Sequence, residues 1–291
     1  MIKTSDKYVK IFEVGPRDGL QNEDDIIPTE QKIELIDALS ELGFKNIEAT
    51  AFVSPKWVPQ MADASDVMAG IKRNKKVRYS ALTPNLQGFE KALDAKVDEV
   101  AVFASASETF SQKNINCSIA ESLERFEPLI ERAHHFDIPV RGYVSCVIGC
   151  PYEGDIDPQS VANVTSAIYK LGCYEVSLGD TIGVGKPQST TKMLDAVLSK
   201  VEPQCLAGHF HDTKGVALDN VRASLKMGLR VFDSAIGGLG GCPYAPGAKG
   251  NVSTLALAQM LEDEGWITDL DLDGLSKVEA LMAKLARQNH D

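Results

Sequence analysis

Three stretches place chemically capable side chains at spacings that matter. The first is VGPRDGLQNE (14–23), where Gly15 and Pro16 bend the chain and Arg17 and Asp18 follow at once. Alone, such a turn is ordinary, because Gly, Pro and Asp all favour turns. The second is HFHD (209–212), which spends two of the five histidines. Side chains two apart on a strand share a face, so His209 and His211 can address one point while Phe210 turns away. Imidazole is a preferred metal ligand. The third is GGLGGCPYAPGAKGN (237–251), with six glycines, one thiol (Cys242) and Asn251 at its end. Two histidines do not complete a coordination sphere, but Asp18 and Asn251 can add a carboxylate and an amide oxygen. Such a mixed set without thiolate suits Mg2+ or Mn2+ better than structural zinc.

These residues converge only if the fold brings them together. Eight apolar runs rich in Val, Ile and Phe read as buried strands: 8–14, 46–52, 77–82, 98–104, 139–147, 174–179, 205–211 and 231–237. The stretches between several of them read as helices. Val161, Val164, Ile168 and Leu171 fall at helical spacing, with Asp157 as N-cap, Pro158 in the first turn and Gly172 at the exit. Ser118 and Glu121 form a capping-box pattern opening another helix. Leu218, Val221 and Leu225 repeat the spacing, and Gly228 ends it. Eight such alternations without a linker predict an α/β fold, a (β/α)8 TIM barrel. The expected domain is the whole of 1–291, with C-terminal helices over about 251–291 packing on the barrel. In this architecture function sits after the strand C-termini. The Arg-Asp turn, the His pair and the Cys242 loop follow the first, seventh and eighth strands.

Composition narrows the classes. The 291 residues are 44% hydrophobic and 24% charged, as in soluble globular chains. A formal net charge of -11 argues against nucleic-acid binding, and the Lys72, Arg73, Lys75, Lys76 cluster reads as a solvated helix end. The N-terminus lacks an apolar signal region and no stretch has the length of a membrane span, so a cytoplasmic location is expected. Six cysteines are too sparse for a disulfide scaffold, and all six are expected as thiols.

VGPRDGLQNE, GCPYEG (149–154), SLGDTIGVG (177–185), HFHDTKG (209–215) and the Cys242 loop together resemble the 3-hydroxy-3-methylglutaryl-CoA lyase family. IEATAFVSPKWVPQMA (47–62) and KNINCSIAESLERF (113–126) fit it too, and the similarity runs from about residue 8 to the mid-250s. The Arg-Asp and His-x-His elements are shared with related metal-dependent lyases and Claisen-type synthases. The Cys242 loop and the PKWVPQMA segment are more particular to the lyase. The resemblance implies cleavage of an acyl-CoA, 3-hydroxy-3-methylglutaryl-CoA, into acetyl-CoA and acetoacetate, as in leucine degradation, by a homodimer using a divalent cation. It implies Asp18, His209, His211 and Asn251 as metal ligands. Arg17, Asp18, His209 and Cys242 become the catalytic set, and Arg17, Gln21 and Lys214 contact substrate. Asp180 becomes a supporting residue. Glu48 supports Arg17 or the metal shell, or is a buried structural partner.

The residues suit the chemistry. A base, Asp18 or His209, takes the proton of the C3 hydroxyl. Arg17, fixed in charge, faces the thioester oxygen where enolate charge develops. Cys242 returns a proton to the acetyl-CoA enolate. Two positions depart from the family pattern: Lys214 stands where tyrosine is common, and Leu255 where glutamate is common. They leave room for a related substrate such as an isohexenyl analogue. A Claisen-type synthase on a 2-oxo acid is an alternative, opposed by the Cys242 loop and the lack of further C-terminal domains. A catalytically idle metal-binding barrel is another, supported only by Lys214 and Leu255.

Overall fold

Each predicted strand run forms a strand: β1 (Lys10–Glu13), β2 (Asn46–Ala51), β3 (Arg78–Leu82), β4 (Glu99–Ser105), β5 (Val140–Ser145), β6 (Glu175–Asp180), β7 (Leu206–Phe210) and β8 (Val231–Ser234). All pairings are parallel, and the sheet closes in the order β1-β8-β7-β6-β5-β4-β3-β2. The computed structural model describes residues 7–23, 25–240 and 250–288; Cys242 lies outside the described residues. Helices fill the crossovers: α1 (Thr29–Ser40), α2 (Ala64–Gly70), α3 (Leu86–Asp94), α4 (Glu108–Ile115), α5 (Ile119–His135), α6 (Pro158–Lys170), α7 (Pro187–Leu198) and α8 (Ala217–Lys226). Two more, α9 (Thr254–Asp263) and α10 (Leu272–Gln288), follow β8, and each packs against the other. The predicted caps are the ones used. Asp157 accepts from Gln159 N at the start of α6, and Ser118 and Glu121 form the reciprocal box at α5. Among the described residues no helix is long and apolar enough to cross a membrane.

The strands carry two chemistries on alternating positions, as the pleat requires. On β5, Val140 and Val144 belong to the apolar layer under the helices, whereas Arg141 and Tyr143 face the barrel axis. Arg141 is fully buried. Its Nε donates to Glu175 Oε1 at 2.8 Å, its Nη2 to Asp233 Oδ1 at 2.7 Å, and its Nη1 to Tyr143 OH at 2.9 Å. It also lies 4.1 Å from the Phe12 ring centroid. Lys10 completes the charge balance at 3.1 Å from Glu175. The axis is thus filled by a paired polar layer rather than by the branched apolar residues usual in such barrels. Arg141→Met should leave two buried carboxylates short of a cation and cost about 3–5 kcal/mol. A urea midpoint shift equivalent to less than about 1 kcal/mol would refute that pairing.

Glu13, at the end of β1, faces outward and has three donors. Its Oε1 accepts Gly15 N at 2.8 Å and Ile236 N at 2.9 Å, and its Oε2 accepts Thr254 Oγ1 at 2.6 Å. Burial raises its pKa from 4.5 to about 7 against the lowering by those donors; Glu279 on α10 raises it slightly further. A folded-state value above the unfolded one makes a stabilising contribution below about pH 4.5 that is lost as pH rises through about 7, on the order of 3 kcal/mol. Glu13→Gln removes that titration. Between about pH 5 and pH 8 the wild type should lose stability relative to this variant, as read by thermal melts; parallel curves would contradict it.

Candidate active site

The Arg-Asp motif is built as one wide helical turn, Gly15–Gly19, leaving β1. Val14 O receives Arg17 N at 3.2 Å, Asp18 N at 2.7 Å and Gly19 N at 3.2 Å. Glycine suits position 15, because a Cβ there would stand 2.5 Å from Glu13 Oε1 and displace that carboxylate from Gly15 N and Ile236 N. The turn aims Arg17 inward. Its Nε donates to Glu48 Oε2 at 2.6 Å and its Nη1 to Asp18 Oδ1 at 2.6 Å, while its guanidinium lies 5.6 Å from the Tyr143 ring centroid. Glu48 reaches Arg17 next to an irregularity in β2. Glu48 pairs with Ser80 but Thr50 pairs with Ala81, leaving Ala49 as an extra residue. Such a bulge re-aims the side chains beside it.

Asp18 presents its other oxygen to two elements. Oδ2 accepts Asn251 Nδ2 at 2.8 Å and lies 3.8 Å from His209 Nε2. His209 can offer Nε2 here because its Nδ1 is engaged 3.1 Å from Asp233 Oδ2, the carboxylate that also pairs with Arg141 and accepts Ser177 Oγ at 2.7 Å. The rings of His209 and His211 are 5.3 Å apart, and Phe210 turns into the apolar layer as its strand position dictates. One donor atom from each of Asp18, His209 and His211 lies within 4.8 Å of the others. Asn251 sits on a short segment threaded between strand ends. It bridges His211, and Val252 N donates to Phe210 O at 3.0 Å while Ala235 N donates to Val252 O at 3.1 Å.

Electrostatics favour a cation at this point. Burial would raise the pKa of Asp18, but Arg17 and the two histidines hold it well below the usual carboxylate range. Burial and the neighbouring His209 depress His211 to about 4, so its ring is neutral at pH 7 with a lone pair to give. Two buried polar atoms, His211 Nδ1 and Asn251 Oδ1, have no hydrogen-bond partner among the described residues. Buried polar atoms are rarely left so, and a bound ion is one way to satisfy them. A carboxylate, two imidazoles and an amide oxygen therefore fit a divalent cation.

The cluster opens on a cavity of about 970 Å³ lined by Arg17, Asp18, His209 and His211, by apolar Leu82 and Phe103, and by Lys113 and Arg125. Gln21 lines it too. Lys214 is exposed and is not among the lining residues. Asp180 is buried and within electrostatic reach of His209. It accepts Gly185 N at 2.7 Å and Val184 N at 3.2 Å, fixing the turn after β6 whose Thr181 reaches the cavity. Leu255 lies in the first turn of α9, packed against the core. Asp233 and Tyr143, with Arg141 behind them, are not among the expected site residues yet contact the site from inside the barrel. Their signal was a charged or polar residue within an otherwise apolar strand run.

The chain is similar to proteins of known family. The HMGL-like family model matches residues 8–282. The mouse protein named 3-hydroxy-3-methylglutaryl-CoA lyase, cytoplasmic, is 59% identical over 91% of this chain and 78% of its own length. A Pseudomonas aeruginosa protein named 3-hydroxy-3-isohexenylglutaryl-CoA/hydroxy-methylglutaryl-CoA lyase is 54% identical over 97% of this chain and 95% of its own. The crystal structure of the HMG-CoA lyase from Brucella melitensis is 57% identical and matches with a TM-score of 0.95, covering 96% of this chain and 99% of that one. With the match running from β1 into α10, the chain belongs to the HMGL-like family, that of the 3-hydroxy-3-methylglutaryl-CoA lyases.

Proposed function

We propose that the protein cleaves 3-hydroxy-3-methylglutaryl-CoA into acetyl-CoA and acetoacetate with the help of Mg2+ or Mn2+. The observation that carries this reading is the convergence of Arg17, Asp18, His209 and His211 on the wall of one large cavity. Asp18, His209, His211 and Asn251 are the residues that would hold the ion. When bound, such an ion acidifies a hydroxyl and acts as a Lewis acid towards substrate oxygens.

The chain's own groups supply the rest. Asp18 or His209 takes the proton of the C3 hydroxyl: Arg17 and the two histidines keep Asp18 ionised, and Asp233 fixes the His209 ring. Arg17, clamped by Glu48 and Asp18, offers a fixed cation to the thioester oxygen as the carbon–carbon bond breaks and the enolate forms. Cys242, by its place in the sequence between β8 and Asn251, delivers the proton that turns the enolate into acetyl-CoA. The names of the mouse and Pseudomonas relatives support the substrate class, the former also a cytoplasmic location. A homodimer is the assembly read from the family resemblance. The Pseudomonas name and the apolar Leu82 and Phe103 also favour testing a longer 3-alkyl chain.

The test is acetoacetate formation from a panel of 3-hydroxy-3-alkylglutaryl-CoA thioesters, with and without chelator. Turnover of the methyl substrate that stops with chelator is expected; turnover indifferent to chelator sinks the reading. Asp18→Asn should lower kcat/KM by about 10²-fold or more and weaken Mn2+ binding in parallel. Cys242→Ser should lose about 10²-fold in kcat while binding Mn2+ as the wild type does. A fully active serine variant would remove the thiol from the mechanism.

A further inference from the structure

The segment that brings Asn251 to Asp18 is held by two carboxylates, and one belongs to the C-terminal helix. Glu13 takes Ile236 N and Thr254 Oγ1. Glu279, on α10, takes the adjoining pair: its Oε1 accepts Gly237 N at 3.0 Å and Ser253 Oγ at 3.0 Å. Residues 236–237 and 253–254 are thus gripped side by side, one carboxylate to each neighbouring pair. Between the grips the backbone is laced by Thr254 N to Ala235 O at 3.0 Å and Asn251 N to Leu239 O at 3.3 Å. Ser253 also caps α9, accepting Ala256 N at 3.3 Å, so the carboxylate sits where the helix dipole favours negative charge. Gly237 is left-handed at φ 66°, and its N–H reaches Glu279 from that turn.

We propose that Glu279 is a positioning residue for the metal site: through Ser253 and Gly237 it sets the register of 250–254 against 236–240, and with it the aim of the Asn251 amide at Asp18. This rests on the reading of Asp18, His209, His211 and Asn251 as the ion's ligands. Asn251 lies two residues from Ser253, on a segment that Thr254 also ties to Glu13 and Ser234 and that the Asn251 amide ties to Leu239 O. Without Glu279 both donors turn to water, and the register rests on Glu13, the Ser234–Thr254 contact and the backbone bonds to Phe210, Ala235 and Leu239. The effect is carried by acceptor geometry, so an amide oxygen at the same position can replace the carboxylate.

The experiment uses the full chain with Mn2+ alone as the probe, read by the electron paramagnetic resonance of free Mn2+. Glu279→Ala should weaken binding about fivefold, less than the roughly tenfold or greater cost of removing a group that touches a ligand directly. Glu279→Gln should stay within about twofold of wild type. At saturating Mn2+ the alanine variant should recover most of its kcat on the lyase substrate, a split that general loosening does not produce. Wild-type Mn2+ affinity in Glu279→Ala, or a glutamine variant as weak as the alanine one, overturns the inference and leaves the metal reading standing. A wild type that binds no Mn2+ overturns the metal reading itself. If the alanine variant does not fold, Glu279→Asp, which withdraws the acceptor by one methylene, carries the same expectation, and unaltered binding there is equally fatal.

Discussion

A charge placed on the axis of a closed barrel has no water to fall back on, so it must be paired there. Asp233 meets that requirement for two neighbours at once. Oδ1 takes Arg141 Nη2, and Oδ2 takes Arg141 Nη1, His209 Nδ1 and Ser177 Oγ. Arg141 in turn is balanced by Glu175 on the far side. Pairing with Arg141 and His209 keeps Asp233 ionised in spite of burial. The same bond fixes which imidazole nitrogen of His209 faces Asp18. The charge balance of the interior and the orientation of a site residue are therefore one arrangement, and neither can be altered alone.

Asp18 is the corresponding pivot at the barrel mouth. Arg17 holds one oxygen; Asn251 and the edge of His209 define the surroundings of the other. Each partner arrives on a different strand end, β1, β7 or the segment after β8. Arg17 is itself fixed by Glu48 from β2, so four neighbouring strands in the ring contribute to one small volume. Arg17, Asp18 and His209 stand at strand termini, whereas Asn251, beyond β8, depends on the contacts of its own segment.

Much of this was legible in the sequence because it is local or periodic. The eight strand runs, the caps of α5 and α6, the shared face of His209 and His211 and the turn at Arg17 all follow from spacing. The resemblance then tied separate motifs to one chemistry. What could not be read depends on register across the sheet. Arg141 and Asp233 are 92 positions apart, and nothing in either strand names the other. The extra residue at Ala49 is invisible until β2 and β3 are paired. Lys214 follows the His pair closely in sequence, yet its side chain is exposed and outside the cavity lining. Glu279 lies in a stretch readable only as amphipathic, because its partners are two donors from another part of the chain.

The hydrogen bond from Asn251 to Asp18 joins residues 233 positions apart, across the seam where β1 meets β8. That seam is the longest-range contact of the ring and the last that a growing chain can make. Closing it carries the largest loop entropy among the strand pairings of the ring. A ligand that binds across the seam, and only when it is shut, adds its binding free energy to closure by mass action. Cofactor supply and completion of folding are then linked, and a chain interrupted before its eighth strand lacks both the closed sheet and the site.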